Sequence, residues 1–159
     1  MRTKPATPPF PRALAARSRF AIIRAEFNPE ITTSLEQACL ATLRAAGVPD
    51  ARIDRVTVPG CFEIPLMAQR LAKRRRYDAL IALGAVIRGD TYHFELVANE
   101  CARGIMDVSL RHDVPIIFEV LAVYRRKDAL RRAGTNRMNK GIEAAGAALA
   151  AITSLASIK

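Results

Sequence analysis

Residues 79–95, Ala-Leu-Ile-Ala-Leu-Gly-Ala-Val-Ile-Arg-Gly-Asp-Thr-Tyr-His-Phe-Glu, decide the fold of this chain. The run up to Ile87 is apolar without alternation, which is typical of a strand covered on both faces of a parallel sheet. Gly89 then turns the chain, and an amphipathic helix is predicted from Thr91. Backbone amides at such a strand–glycine–helix junction can hold an anion. His93 falls in the first turn of the helix, close to whatever binds there.

The same alternation of apolar strand and amphipathic helix runs through the whole chain. Strands are predicted from Phe20 and over 53–58, 79–87 and 114–121. Helices are predicted from Pro29 to Gly47 and over 63–76, 91–111, 128–133 and 140–156. Right-handed crossovers then place helices on both faces of a parallel sheet. The pattern therefore predicts a three-layer α/β/α sandwich of the flavodoxin-like kind, with a central four-stranded parallel sheet.

Length and composition exclude several classes of protein. A chain of 159 residues, half of them hydrophobic, can build one domain with a sizeable core. No apolar stretch reaches the length that spans a bilayer, and no signal peptide is recognisable, so we expect no membrane association and a cytoplasmic location. The chain has three cysteines, and their odd number and wide spacing predict neither a disulfide framework nor a metal site.

Charge and proline content single out two further features. Residues 1–18 contain Pro5, Pro8, Pro9 and Pro11 among basic residues, which predicts a flexible arm, with 19–159 as a single domain. The formal net charge of +10 raises the alternative of nucleic-acid binding. No recognition module or aromatic-basic pattern accompanies that charge, so we expect no nucleic-acid partner.

The candidate site follows from where ligands bind in such sheets, which is beyond the carboxyl ends of the strands. The residues that follow or end the predicted strands there are Phe27, Cys61, Phe62, Glu63, Gly89, Asp90, Thr91, His93 and Phe118. Each has a simpler structural interpretation: the phenylalanines could cap the core, and Glu63 could satisfy a helix start. Their common location instead favours a flat heterocycle held by stacking beside an anion.

Several separate motifs also resemble the lumazine synthase family, in that family's order along the chain. They are Phe27-Asn28, Val-Pro-Gly-Cys-Phe-Glu-Ile-Pro at 58–65, Leu-Gly-Ala-Val-Ile-Arg-Gly-Asp-Thr-Tyr-His at 83–93, Asn99-Glu100, Arg132-Ala133-Gly134-Thr135 and Asn139-Lys140-Gly141. The resemblance extends from about Phe20 to the C-terminus. It implies a transferase of riboflavin biosynthesis that joins 5-amino-6-(D-ribitylamino)uracil to 3,4-dihydroxy-2-butanone 4-phosphate. The product is 6,7-dimethyl-8-ribityllumazine, and no metal or organic cofactor is implied.

The resemblance also implies roles for individual residues. His93 would move protons, and Phe27 would stack on the pyrimidine. The other substrate-binding residues would be Cys61, Phe62, Glu63, Val86, Ile87 and Phe118. Amides at Gly89, Asp90 and Thr91 would face the phosphate, with Arg132 as its charged partner. Family sites lie between subunits of a pentamer, so Phe118 and Arg132 would come from a neighbouring subunit, and Lys140 matches a family lysine near the site.

The chain departs from the family pattern at the predicted fourth strand. Glu119 stands where the family commonly has glycine, and Ala-Val-Tyr-Arg-Arg at 122–126 replaces a threonine-rich stretch. Met138 occupies a position where shell-forming relatives often have glycine, so the pattern predicts a pentamer and leaves assembly beyond it open. These changes keep a second interpretation open, a relative that binds flavin or lumazine with weak turnover.

Overall fold

The computed structural model of the protein describes residues 10–158. Four strands, β1 (Phe20–Ala25), β2 (Ile53–Val58), β3 (Ala79–Ile87) and β4 (Ile116–Val123), form one sheet in the order β2-β1-β3-β4. All three strand pairings are parallel, so the carboxyl ends of the strands share one edge of the sheet. The predicted four-stranded parallel sheet is confirmed.

Six α-helices surround the sheet within the described residues, and two short 3-10 helices, Asp50–Arg52 and Cys61–Glu63, precede and follow β2. The α-helices are α1 (Arg12–Arg17), α2 (Pro29–Ala45), α3 (Ile64–Ala72), α4 (His93–His112), α5 (Arg126–Arg132) and α6 (Lys140–Ala156). Helices α2 and α6 pack on one face of the sheet, and α3 and α4 pack on the other. This confirms the three-layer α/β/α sandwich. None of the helices between residues 10 and 158 is both long and apolar enough to cross a membrane.

The central strand β3 supplies both halves of the core. Ile81 and Leu83 point to the layer of α2 and α6, whereas Leu80 and Ala82 point to the layer of α3 and α4. These four side chains are fully buried, which explains why the strand shows no polar alternation. Burying each of the larger ones contributes about 1.5–3 kcal/mol. The apolar run at residues 79–87 therefore explains why β3 lies in the middle of the sheet.

Two glycines allow the helices of each layer to approach closely. A Cβ built on Gly141 of α6 would lie 2.0 Å from the carbonyl oxygen of Leu35 in α2. A Cβ on Gly104 of α4 would lie 2.8 Å from Cβ of Pro65 in α3. Any side chain at Gly141 would force the two backbones apart, since a carbonyl oxygen cannot rotate away as a side chain can.

The N-terminal region differs from the sequence-based expectation. Residues 1–9 of the predicted arm lie outside the described residues. The rest is not a flexible arm, because Arg12–Arg17 is helical and both Ala15 and Ser18 are buried. Pro11 precedes the helix rather than interrupting it, which is compatible with its missing N–H. The Ser18 hydroxyl donates to the Leu14 carbonyl and closes the last turn.

The fourth strand begins and ends two residues later than predicted. Pro115 has no N–H, and the amide of Val114 donates to the Ser109 carbonyl at the end of α4. Strand pairing therefore begins at Ile116. Phe118, expected near the end of this strand, instead lies near its beginning, opposite Ala82.

Candidate active site

A pocket of about 620 Å³ opens at the carboxyl edge of the sheet. It is bounded by the segments that follow β1 and β2, by the end of β3 and by the first two turns of α4. Its lining residues are Phe27, Asn28, Gly60, Cys61, Phe62, Glu63, Ala85, Val86, Ile87, His93, Leu96, Val97 and Glu100. The structure thus brings together the predicted residues Phe27, Cys61, Phe62, Glu63, Val86, Ile87 and His93.

Two phenylalanine side chains of the pocket are more than half exposed. Phe27 is 69% exposed and Phe62 is 58% exposed. A phenylalanine that merely capped the core would be buried, so the structural interpretation of these two residues fails. Exposed aromatic rings at a concave site offer a face on which a flat heterocycle can stack.

The backbone around Phe27 is held by strand pairing on one side. The amides of Glu26 and Phe27 donate to the carbonyls of Val58 and Pro59, at 2.9 and 3.3 Å. A Cβ built on Gly60 would lie 3.5 Å from Cδ2 of Phe27, so the ring lies directly over this glycine. The segment that follows β2 therefore packs against one side of the Phe27 ring.

Asn28 lies three residues after the end of β1 and directly precedes α2, but it does not cap the helix with its side chain. Its backbone is left-handed, with φ 57° and ψ 58°, and no side-chain hydrogen bond to the helix start is present. The side-chain Nδ2 instead donates to the carbonyl of Ala85 at 3.1 Å. Asparagine before proline is typical of an N-cap, and Asn28 occupies that position, but its side chain forms a bridge to the end of β3.

Cys61 is a buried part of the pocket wall. The thiol is packed so closely against β3 that a Cβ on Gly84 would lie 2.5 Å from its Sγ. Burial raises the pKa of the Cys61 thiol to about 11, an effect opposed by a hydrogen bond from the Ala85 backbone and reinforced by the charge of Glu63. The thiol is protonated at neutral pH, which excludes an activated nucleophile.

The Glu63 carboxylate organises the turn after β2. Its Oε2 accepts a hydrogen bond from the amide of Gly60 at 2.8 Å. This contact is the helix-start role that the simpler interpretation predicted for Glu63. The side chain is nevertheless exposed and lines the pocket, so the same carboxylate faces the space where a ligand would lie.

His93 is the first residue of α4 and is exposed in the pocket wall. The loop before it contains Gly89, Asp90 and Thr91, which are exposed and lie outside the pocket lining. A Cβ built on Gly89 would meet no atom within 4 Å, so the loop backbone there is open on that side. The helix has 20 residues, and its N-terminal end favours negative charge beside this loop.

Besides Gly89, Asp90 and Thr91, three further residues expected at the site do not line the pocket of their own chain. Phe118 is 40% exposed on the edge strand β4, five residues before its end at Val123. Nη1 of Arg132 donates to the Asp128 carbonyl at 2.8 Å within α5. Nζ of Lys140 lies 2.7 Å from Oε2 of Glu143.

Sequence reasoning identified His93 but missed the rest of the pocket wall formed by α4. Leu96, Val97 and Glu100 follow His93 by three, four and seven residues. Those spacings place all four residues on one helix face, which is the signal that could have identified them. Within residues 10–158, no group of three or more His, Cys, Asp or Glu side chains could hold a metal ion.

Comparison with known protein families agrees with this geometry. Residues 17–156 match the family model described as 6,7-dimethyl-8-ribityllumazine synthase. The match covers almost the whole chain and includes every residue of the pocket. The chain therefore belongs to the 6,7-dimethyl-8-ribityllumazine synthase family, which consists of transferases of riboflavin biosynthesis.

Proposed function

We propose that this pocket binds 5-amino-6-(D-ribitylamino)uracil and condenses it with 3,4-dihydroxy-2-butanone 4-phosphate. The product is 6,7-dimethyl-8-ribityllumazine, and phosphate and water are released. The observation that carries the proposal is the exposed Phe27 ring in the same pocket as His93, within a chain of this family. One residue offers a face for a planar ring, and the other can exchange protons with it.

The pyrimidine ring stacks on Phe27, and the exposed side chain of Phe62 adds a second apolar surface. Val86 and Ile87, partly exposed at the end of β3, supply the remaining apolar wall. The Glu63 carboxylate and the backbone around Cys61 bind the polar edge of the ring and the ribityl hydroxyls. A pocket of about 620 Å³ falls within the range of about 300–1,000 Å³ typical of small-molecule sites.

The phosphate of the second substrate binds beside the pocket. The open backbone at Gly89 and the adjacent residues Asp90 and Thr91 provide amides next to the N-terminus of α4. Arg132 of a neighbouring subunit provides the charge, and its guanidinium can bind phosphate bidentately. Holding the developing phosphate charge in this way favours its departure.

His93 transfers the protons that the reaction requires. Imine formation between the amine and the ketone releases water, phosphate loss follows, and ring closure releases water again. Each step moves a proton to or from nitrogen or oxygen, and imidazole is the side chain suited to such transfers near neutral pH. The pocket contributes further by holding the two substrates in contact.

We also propose a homo-oligomer, a pentamer, in which Phe118 and Arg132 complete the pocket of the adjacent subunit, with Lys140 nearby. Three apolar side chains of α4 support an interface, because Leu96, Met106 and Leu110 are 51%, 58% and 75% exposed. The proposed location is the cytoplasm, which is supported by the absence of any disulfide among the buried residues Cys39, Cys61 and Cys101.

A two-substrate assay tests the proposed activity. Purified protein is mixed with both substrates, and the lumazine chromophore is followed against a protein-free reaction. Product formation above that background is expected. Tight binding of the lumazine without turnover would contradict the catalytic proposal and favour a binding protein. Light scattering of the same sample tests the pentamer, which a monomer mass of 17.4 kDa would contradict.

A further inference from the structure

The Asn28 side chain connects two walls of the pocket where the sheet no longer does. The pairing of β1 with β3 ends at Arg24 and Leu83. The hydrogen bond from Nδ2 of Asn28 to the carbonyl of Ala85 bridges the same two segments beyond that point. Both Asn28 and Ala85 line the pocket, so this bond determines how far apart its walls stand.

The backbone of Asn28 has a rare conformation, which the hydrogen bond from its side chain to Ala85 explains. A left-handed conformation is disfavoured for residues other than glycine, although asparagine tolerates it better than most. Pro29 follows, and a residue before proline is normally extended. Such strained residues persist where their surroundings hold them, and they concentrate at functional sites.

Asn28 connects the exposed Phe27 to the start of α2. The chain leaves β1 at Ala25 and enters α2 at Pro29, so Asn28 is the last residue of the short connection that carries the exposed Phe27 side chain. On its other side the ring lies over Gly60. The position of the ring relative to Val86 and Ile87 therefore depends on the bridge from Asn28 to Ala85, two residues from Ile87.

We propose that Asn28 is a positioning residue whose amide bridge to Ala85 sets the width of the slot that receives the pyrimidine ring. The inference rests on the proposed function and adds a determinant of substrate affinity to it. Asn28 acts through Phe27 and the end of β3 rather than on the reacting atoms. Its loss should therefore impair use of the ribitylaminouracil and spare use of the phosphorylated ketone.

Three substitutions separate the amide bridge from the backbone conformation. Asn28→Asp keeps the shape and the tolerance of the left-handed conformation but removes the donor. Asn28→Gly keeps the conformation without any side chain, and Asn28→Ala loses both. Asp113, also left-handed with φ 52°, lies beyond the far end of α4, so Asp113→Gly is the matched control.

The readouts are the KM for each substrate and the unfolding temperature. We expect Asn28→Asp and Asn28→Gly to raise the KM for the ribitylaminouracil about threefold to tenfold, the effect of one net hydrogen bond. Asn28→Ala should raise it further. The KM for the phosphorylated ketone should stay the same in all three variants. Asp113→Gly should match wild type in both KM values.

Several outcomes would overturn the inference. If Asn28→Asp and Asn28→Gly match wild type and Asn28→Ala alone is impaired, only the backbone conformation matters. Equal increases in both KM values would indicate a general structural defect. If a variant has a lowered unfolding temperature, its affinity for the ribityllumazine product is measured by titration below that temperature. An affinity equal to that of wild type would contradict the role of the bridge. Wild-type protein that neither binds nor forms the lumazine would end the proposed function itself.

Discussion

The segments that follow β1, β2 and β3 build a continuous pocket in one chain, whereas β4, α5 and the start of α6 contribute nothing to it. The first region carries the exposed aromatic rings, a carboxylate and His93. The second carries Phe118 and the cations Arg132 and Lys140, whose side chains bind within their own helices or lie on the edge strand. Among residues 10–158, no lysine or arginine side chain lines the wall of that pocket.

The difference assigns separate tasks to the two regions. In the proposed function, the pocket region determines affinity for the heterocycle, and the β4 side supplies charge for a phosphate bound at another subunit. Substitutions in the first region should act within a chain. Substitutions in the second should act across the proposed subunit interface, so the two can be distinguished by experiment.

The largest effect is expected at His93. His93→Ala removes the proton carrier, and loss of general acid–base catalysis typically costs at least about a hundredfold in rate. We expect kcat to fall by that amount with little change in either KM. His112→Gln, at the other end of the same helix, is the matched control and should retain wild-type kcat. A His93→Ala enzyme within tenfold of wild type would mean that another group moves the protons.

Arg132 provides the next largest effect and tests the division between the regions directly. Arg132→Ala should lower kcat/KM for the phosphorylated ketone about tenfold to a hundredfold, as expected for loss of a charged hydrogen bond. Arg131→Ala, which removes an exposed arginine from the same helix, should change it little.

Mixed assemblies sharpen the Arg132 comparison. Chains carrying His93→Ala and chains carrying Arg132→Ala are refolded together, and activity is compared with each variant alone. If the sites are shared, some interfaces in the mixture pair an intact His93 with an intact Arg132, and activity recovers. Activity no higher than the sum of the separate variants would place both residues in sites of a single chain.

Gly84 tests the packing behind the pocket wall. Gly84→Ala would place a methyl group against Cys61, and such overpacking costs about 1–3 kcal/mol of unfolding free energy. Gly146→Ala in α6 is the control, since a Cβ there meets no atom within 4 Å and replacing a helical glycine adds up to about 1 kcal/mol. Denaturant unfolding measures the unfolding free energy of both variants. Equal unfolding free energies for Gly84→Ala and Gly146→Ala would disprove the close contact at Gly84.

The smallest effect is expected at Cys61. Because burial raises the pKa of its thiol to about 11, Cys61 carries no charge at pH 7, and Cys61→Ser should change kcat/KM less than about threefold. Iodoacetamide labelling of the native thiol should be slow at pH 8 and accelerate as the pH approaches 11. Rapid labelling at pH 8 would show an ionised thiol in the pocket and contradict this assignment.

Most of the fold was predictable from uninterrupted local patterns. The predicted bounds of β3 and α6 agree with the structure because one is uniformly apolar and the other starts at Asn139, whose side chain caps the helix. The prediction extended α3 to Arg76, but the helix ends at Ala72. Lys73 to Arg76 continue the sequence with charged side chains alone, so no apolar face keeps them packed on the sheet.

The site was predictable where chemistry follows a strand directly. Phe27, Cys61, Phe62, Glu63 and His93 were identified in this way, and the structure gathers them in one pocket. Asn28 does occupy the N-cap position, as asparagine before proline suggests, but only the fold shows that its side chain reaches the Ala85 carbonyl. The assignments of Phe118, Arg132 and Lys140 came from family resemblance and stay predictions, as they concern contacts between chains.

The contact between Gly141 and Leu35 has a consequence for interpreting sequence variation. Residue 141 directly follows Lys140, so its invariance among relatives would invite a role in chemistry. A Cβ added at position 141 would overlap the Leu35 carbonyl oxygen, so no side chain fits there whatever the enzyme does. In this segment, substitutions should accumulate at the exposed Met138. Selection for stability should remove them at Gly141, even in homologues that have lost all activity.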